Sequence, residues 1–213
     1  MFRAFLNDKI GTIIRHFAAE IQPLSLTKLL KLLYITDEAA TRETGTPVTW
    51  LEYRVWKYGP VPGEVFQEIK HGEKLTVGKH IISFDDYIKV IRQDSGKRPG
   101  QEEVFIEAKG EDNLSMLSAY EVDLLNRVLR QFGKMNAAEL VSYLHQEGSL
   151  WHKAVQEHKL DTNFELFQNT SNCIIDFSDL IEDDDLMKMA AQSAFESLYF
   201  HKTLYETKLQ QDA

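Results

Sequence analysis

The stretch "LTKLLKLLYITDEAATRETG", residues 26–45, constrains the fold more than any other part of the chain. Its apolar side chains fall into two stripes at helical spacing. Leu26, Leu29, Leu30 and Leu33 form one, with Asp37 continuing the line, and Leu32, Ile35 and Ala39 form the other. A helix with one apolar stripe lies on the rim of a core, whereas a helix apolar on most sides has to be surrounded. The spacing therefore predicts a central helix, with Ser25 placed to cap its start and Gly45 to stop it.

Other segments supply the surround. Leu6, Ile10, Ile13, Ile14, Phe17 and Ile21 predict an amphipathic helix over 5–21, broken by Pro23. Ser118 and Glu121, then Asn136 and Glu139, stand three residues apart at the heads of two apolar-periodic runs, as capping boxes require. Residues 75–108 hold short β-rich segments, "KHIISF", "YIKVIRQ" and "EVFIEAK", with a polar loop over 93–103. A long helix is expected over 184–208, behind the acidic run Glu182–Asp185. The expected fold class is α+β, mainly α: a helical core, a small antiparallel β-sheet in the middle third and a long C-terminal helix. Ile13, Phe17, Leu29, Leu30, Leu33, Leu125, Leu129 and Leu140 are the expected core.

Composition narrows the function. The net charge is −9, from 24 Lys and Arg against 33 Asp and Glu, with no basic block to neutralise phosphates. Nucleic acid is disfavoured as the main ligand. The apolar N-terminus is interrupted by Asn7, Asp8, Lys9, Arg15 and His16, so no secretory signal is expected and the protein is read as cytoplasmic. No run reaches the roughly 18 apolar residues of a membrane span. The seven His show no metal-site spacing, Cys173 has no neighbouring base, and no nucleophile elbow or phosphate loop appears. We therefore expect no catalytic residues, no cofactor and no metal.

The densest stretch is "WKYGPVPGEVF", residues 56–66. Residues 48–58 alternate, with Leu51, Tyr53 and Val55 on one side and Trp50, Glu52, Arg54, Trp56 and Tyr58 on the other, which predicts an extended segment. Gly59-Pro60 is expected to reverse the chain, and Pro62 to open a helix in its first turn. Such an elbow either fills a corner of the core or displays a face rich in Trp, Tyr and Arg, the residues that dominate binding hot spots.

Residues 26–69 resemble the Panacea domain family of SocA-like antitoxins. Lys28, Leu29, Lys31, Leu32, Leu33 and Tyr34 match that family's KLqKLLYfa helix. Trp56, Lys57, Tyr58, Gly59, Pro60, Val61, Glu64 and Val65 match its AWkyGPVvpevy segment. Leu124, Leu125, Val128, Leu129, Phe132, Gly133, Ala138, Glu139, Leu140, His145 and Trp151 resemble its later helical pair. Val55, Thr36 with Asp37, and Leu150 depart from the pattern. The resemblance implies a domain over 1–157, with a variable β insertion at about 73–117; residues 158–213 fall outside it and are expected to be a C-terminal extension that ends in a long helix and packs on the same domain. The resemblance also implies an antitoxin that binds and neutralises a cognate protein toxin. The alternatives are an adapter delivering its partner to an AAA+ protease and, behind both, an uncharacterised enzyme. The candidate partner-binding residues are Trp50, Arg54, Trp56, Lys57, Tyr58, Pro60, Val61 and Glu64.

The extension carries Phe164, Phe167, Ile174, Ile175, Phe177, Phe195, Leu198, Tyr199, Phe200, Leu204 and Tyr205, too much apolar surface to stay in water. It either packs back on the domain or leaves a stripe open as a partner groove or homodimer seam. As a specificity element, it should be removable at about residue 158 with more loss of neutralisation than of folding.

Overall fold

The computed structural model describes residues 2–77, 80–96, 102–166, 168–181 and 184–197. Among them the chain is mainly helical, with small antiparallel sheets. In chain order the elements are α1 (Phe2–Glu20), β1 (Leu24–Ser25), α2 (Leu26–Thr44), β2 (Tyr53–Trp56), β3 (Gly59–Pro62) and α3 (Gly63–His71). The insertion follows with β4 (Leu75–Val77), β5 (His80–Ile82), β6 (Ile88–Asp94) and β7 (Glu102–Ala108). The second half contains α4 (Ala119–Phe132), α5 (Ala137–Leu144), α6 (Leu150–Glu157), α7 (Leu160–Glu165), a 3-10 turn (Phe177–Leu180) and α8, residues 185–197.

α2 is the centre, as its two stripes require. It touches α1, α3, α4, α5, β3 and the 3-10 turn. Thirteen of its residues are buried, among them Leu29, Leu30, Leu32, Leu33 and the polar Lys31, Thr36, Asp37 and Thr41. Ser25 caps it by accepting from the Lys28 amide, and Gly45 ends it in the left-handed region at φ 76°. Ser118 and Asn136 both form complete capping boxes, with Glu121 and Glu139. Ile13, Phe17, Leu125 and Leu140 have no exposed surface. Leu129, expected in the core, is only partly buried, and Tyr143 is exposed, its ring tilted over Phe132.

Among the described residues the β structure is three small sheets rather than one. β1, β7 and β6 form an antiparallel sheet in that order, with α1 packed against it. β4 pairs with β5 alone, and β2 with β3 alone. The two-residue strand β1 precedes the central helix at once and pairs Leu24 with Ile106 and Ser25 with Phe105, so the insertion is tied to the head of α2. Residues 97–101 of the expected 93–103 loop lie outside the described residues.

The extension packs on the domain. Phe164, Ile175, Phe177, Leu180, Ile181 and Phe195 all belong to the main core. Phe177, 3% exposed, stacks on Tyr34 and meets Tyr53 edge-on, each at 5.5 Å between centroids. A truncation at 158 would strip a wall from α2, which speaks against the expectation that it spares folding. α8 runs to residue 197 within the described residues. Phe167, Glu182, Leu198, Tyr199, Phe200, Leu204 and Tyr205 lie outside them. No helix among the described residues is long and apolar enough to cross a membrane.

Candidate functional site: an anchored hairpin

β2 and β3 form a tight hairpin. Tyr53 pairs with Pro62, Val55 with Pro60 and Trp56 with Gly59, leaving Lys57 and Tyr58 as the turn. The reversal therefore falls one step earlier than Gly59-Pro60, which already lies on the return strand. β3 pairs on one side only, so its two prolines, which lack an N–H, cost the ladder little. Pro62 closes β3 and stands at the N-cap of α3 instead of in its first turn. Val55 is fully buried and Tyr53 nearly so, with Leu51 before them, as the alternation requires.

The hairpin is held by its backbone from several directions. Lys31 of α2 donates from Nζ to the Pro60 carbonyl at 2.7 Å. Trp151 of α6 donates from Nε1 to the Trp56 carbonyl at 2.8 Å. The outer edge of β2 is covered by the extension. The Val55 amide donates to Cys173 O, the Ile175 amide to Tyr53 O and the Lys57 amide to Asn169 O, each at 2.9 Å. Ser171 Oγ adds a bond to Val55 O at 2.6 Å. Residues 169–175 thus act as a third, irregular strand that closes an edge otherwise open to pairing. Lys57 Nζ reaches Phe164 O at 2.7 Å.

Burial sets the electrostatics of this anchor. Lys31 is 1% exposed, and loss of hydration alone brings its amine down to about 7. His145 lies flat on Trp151, ring centroids 3.6 Å apart and planes 2° from parallel. Burial first, then the charges of Lys31 and His152, bring its imidazole down to about 4. Gly59 sits between them at φ 95°. A Cβ there would meet Lys31 Nζ at 3.1 Å and His145 Nε2 at 3.6 Å, so both the backbone angle and the space call for glycine.

A second polar knot underlies the hairpin. Asp37, with no exposed surface, accepts from the Val48 and Thr49 amides at 2.8 Å, from Tyr53 OH at 2.7 Å and from the Thr49 hydroxyl. Burial pushes its carboxyl up and the four donors pull it back, for a net value of about 6. This residue fixes the path from α2 into β2. Its partners lie eleven to sixteen positions downstream, so the signal in the sequence was confined to an acid lying on an apolar stripe.

The predicted partner-binding residues divide by position. Tyr58 is 59% exposed at the turn. Arg54 and Glu64 also present side chains to solvent, and Arg54 Nη1 lies 3.5 Å from Asn172 Oδ1. Trp56 is half-buried, edge-on to Phe66 at 4.9 Å, so it serves both the core corner and the face. Trp50 is half-buried against Phe195 of α8 at 5.5 Å, with its backbone at a positive φ of 57°. Lys57 is half-buried; Pro60 and Val61 are buried and shape the hairpin from within. Cys173 is partly buried and free.

The motif residues that lie far apart in sequence, Lys31, Trp56, Gly59, Pro60, His145 and Trp151, thus converge on one anchor. Residues 29–152, more than half of the chain, match the family model described as "Antitoxin SocA-like, Panacea domain". No curated protein and no solved structure matches the chain. On the strength of that match, the chain belongs to the SocA-like antitoxin family built on the Panacea domain.

Proposed function

We propose that this chain is a non-catalytic, cytoplasmic antitoxin that neutralises a cognate protein toxin by binding it directly. We place the contact on the outer face of the β2–β3 hairpin: Arg54, Tyr58 and Glu64 present side chains, half-buried Trp50 and Trp56 border the face, and Lys57, Pro60 and Val61 hold it in place. The observation that carries this reading is the contrast at the turn. Tyr58 is exposed while the backbone on either side is bonded to α2, α6 and the extension. A turn whose backbone is already held loses little further backbone freedom on binding, and Tyr is among the residues that dominate hot spots. The family match supports the antitoxin role itself.

The test is growth rescue. The chain is co-expressed with the product of the neighbouring reading frame, in cells with and without the candidate AAA+ protease. Rescue in both strains supports masking by direct binding. Rescue only where the protease is present makes the chain a delivery adapter. Absence of rescue in both strains ends the antitoxin reading.

A further inference from the structure

We propose that His16, Glu20 and Asp112 form a binding site for a divalent first-row transition-metal cation, clipping the end of α1 to the loop after β7. The three side chains each offer a ligand atom, and these atoms lie within 4.8 Å of one another. His16 and Glu20 are four residues apart on α1 and so share a face of the helix. Asp112 comes from the loop after β7, and its Oδ2 lies 2.6 Å from His16 Nδ1.

Without an ion His16 and Asp112 bond each other directly, so an ion enters by taking the place of that bond. Donor atoms around a tetrahedral zinc stand roughly 3.3–3.5 Å apart, given bonds of about 2.0–2.2 Å. Both acids are exposed and only His16 is rooted in the core, so closing on an ion needs side-chain movement alone. Asp112 is already paired with His16, and a divalent ion would balance the charges of both carboxylates at once. Arg15, the next residue on α1, is directed elsewhere: its Nη2 donates to the Asn113 carbonyl at 2.8 Å and its guanidinium lies over the Tyr87 ring.

A second observation concerns the imidazole itself. His16 is 5% exposed, so packing fixes its ring, and Nδ1 is the nitrogen that faces Asp112; Nε2 is turned away and buried without a partner. The donor set also indicates the ion class. One imidazole with two carboxylates favours zinc and its first-row neighbours over magnesium or calcium, which prefer all-oxygen ligation. Three protein ligands leave the remaining positions to solvent, as in open sites.

The experiment titrates zinc chloride into the full chain by calorimetry, beside the isosteric variants E20Q and D112N. Both substitutions fall on exposed side chains and leave the core intact. Ring-nitrogen correlations of His16 are followed by NMR. The expected result is a single site in the wild-type chain that magnesium chloride does not fill, with His16 ring signals that move on saturation. Each variant should weaken zinc binding by roughly tenfold or more. A smaller loss in either variant, absence of zinc binding, or unmoved His16 signals overturns the site and assigns any bound zinc to other histidines.

Discussion

Lys31 Nζ donates to the Pro60 carbonyl at 2.7 Å from a position 1% exposed, so a core amine holds the returning strand of the hairpin. Its pKa of about 7 in the folded protein lies well below the roughly 10.4 of an unfolded lysine. Between those values the unfolded chain binds the extra proton, so stability rises with pH above 7 and is lost as pH falls through 7. Urea denaturation at pH 7, 8 and 9 should show the wild-type chain gaining about 1 kcal/mol per pH unit over K31M. Parallel pH dependence in the two proteins would place the amine in water.

Asp37 receives four donors and gives none. Replacing it with Asn turns a donor group toward other donors inside the core. D37N should lose about 2–4 kcal/mol in chemical denaturation. A loss under about 0.5 kcal/mol would mean that the knot carries little of the fold's stability.

His145 titrates at about 4 in the folded protein against roughly 6.5 unfolded. Its contribution is present above pH 6.5 and is lost as pH falls toward 4. Asp37 works in the opposite sense: its raised pKa adds stability as pH falls through about 6. Comparing wild type with H145F isolates the histidine, because Phe keeps the stack on Trp151 and both proteins retain Asp37. H145F should gain on wild type by about 1 kcal/mol between pH 6.5 and 4.5, a figure reduced for the partial exposure of the ring. A constant difference across that range would contradict the buried position of the imidazole.

The extension is structural. A chain ending at 157 loses Phe177, which stacks on Tyr34, and the segment that covers β2. It should show no cooperative thermal transition. Cooperative unfolding near the wild-type melting temperature would make residues 158–213 an accessory to an independently stable domain.

Much of this organisation was legible in the sequence because it rests on local spacing. The two stripes of α2 called for a central helix, the alternation of Leu51, Tyr53 and Val55 called for an inward face, and Ser25, Ser118 and Asn136 announced helix starts. What escaped was tertiary. Asp37 looked like a departure from an apolar pattern, because the donors that satisfy it arrive from the next segment. Lys31, His145 and Trp151 were visible as motif positions, but no local rule brings them to one carbonyl-lined anchor. The turn was placed at Gly59-Pro60 because those residue types favour reversal. The ladder instead starts at Gly59, where the left-handed angle and the nearness of Lys31 both exclude a side chain. Leu129 fits its helical stripe yet lies where the core has already closed, a boundary that periodicity does not encode.

The central claim, that the hairpin face binds a toxin, is tested most directly by one affinity measurement. The purified chain and its Y58A variant are each titrated against the protein encoded by the neighbouring reading frame. Tyr58 is exposed, so Y58A should melt at the wild-type temperature. The account predicts a stable complex with the wild-type chain and binding at least about tenfold weaker with Y58A. Absence of a complex, or equal affinity for the two chains, would contradict it.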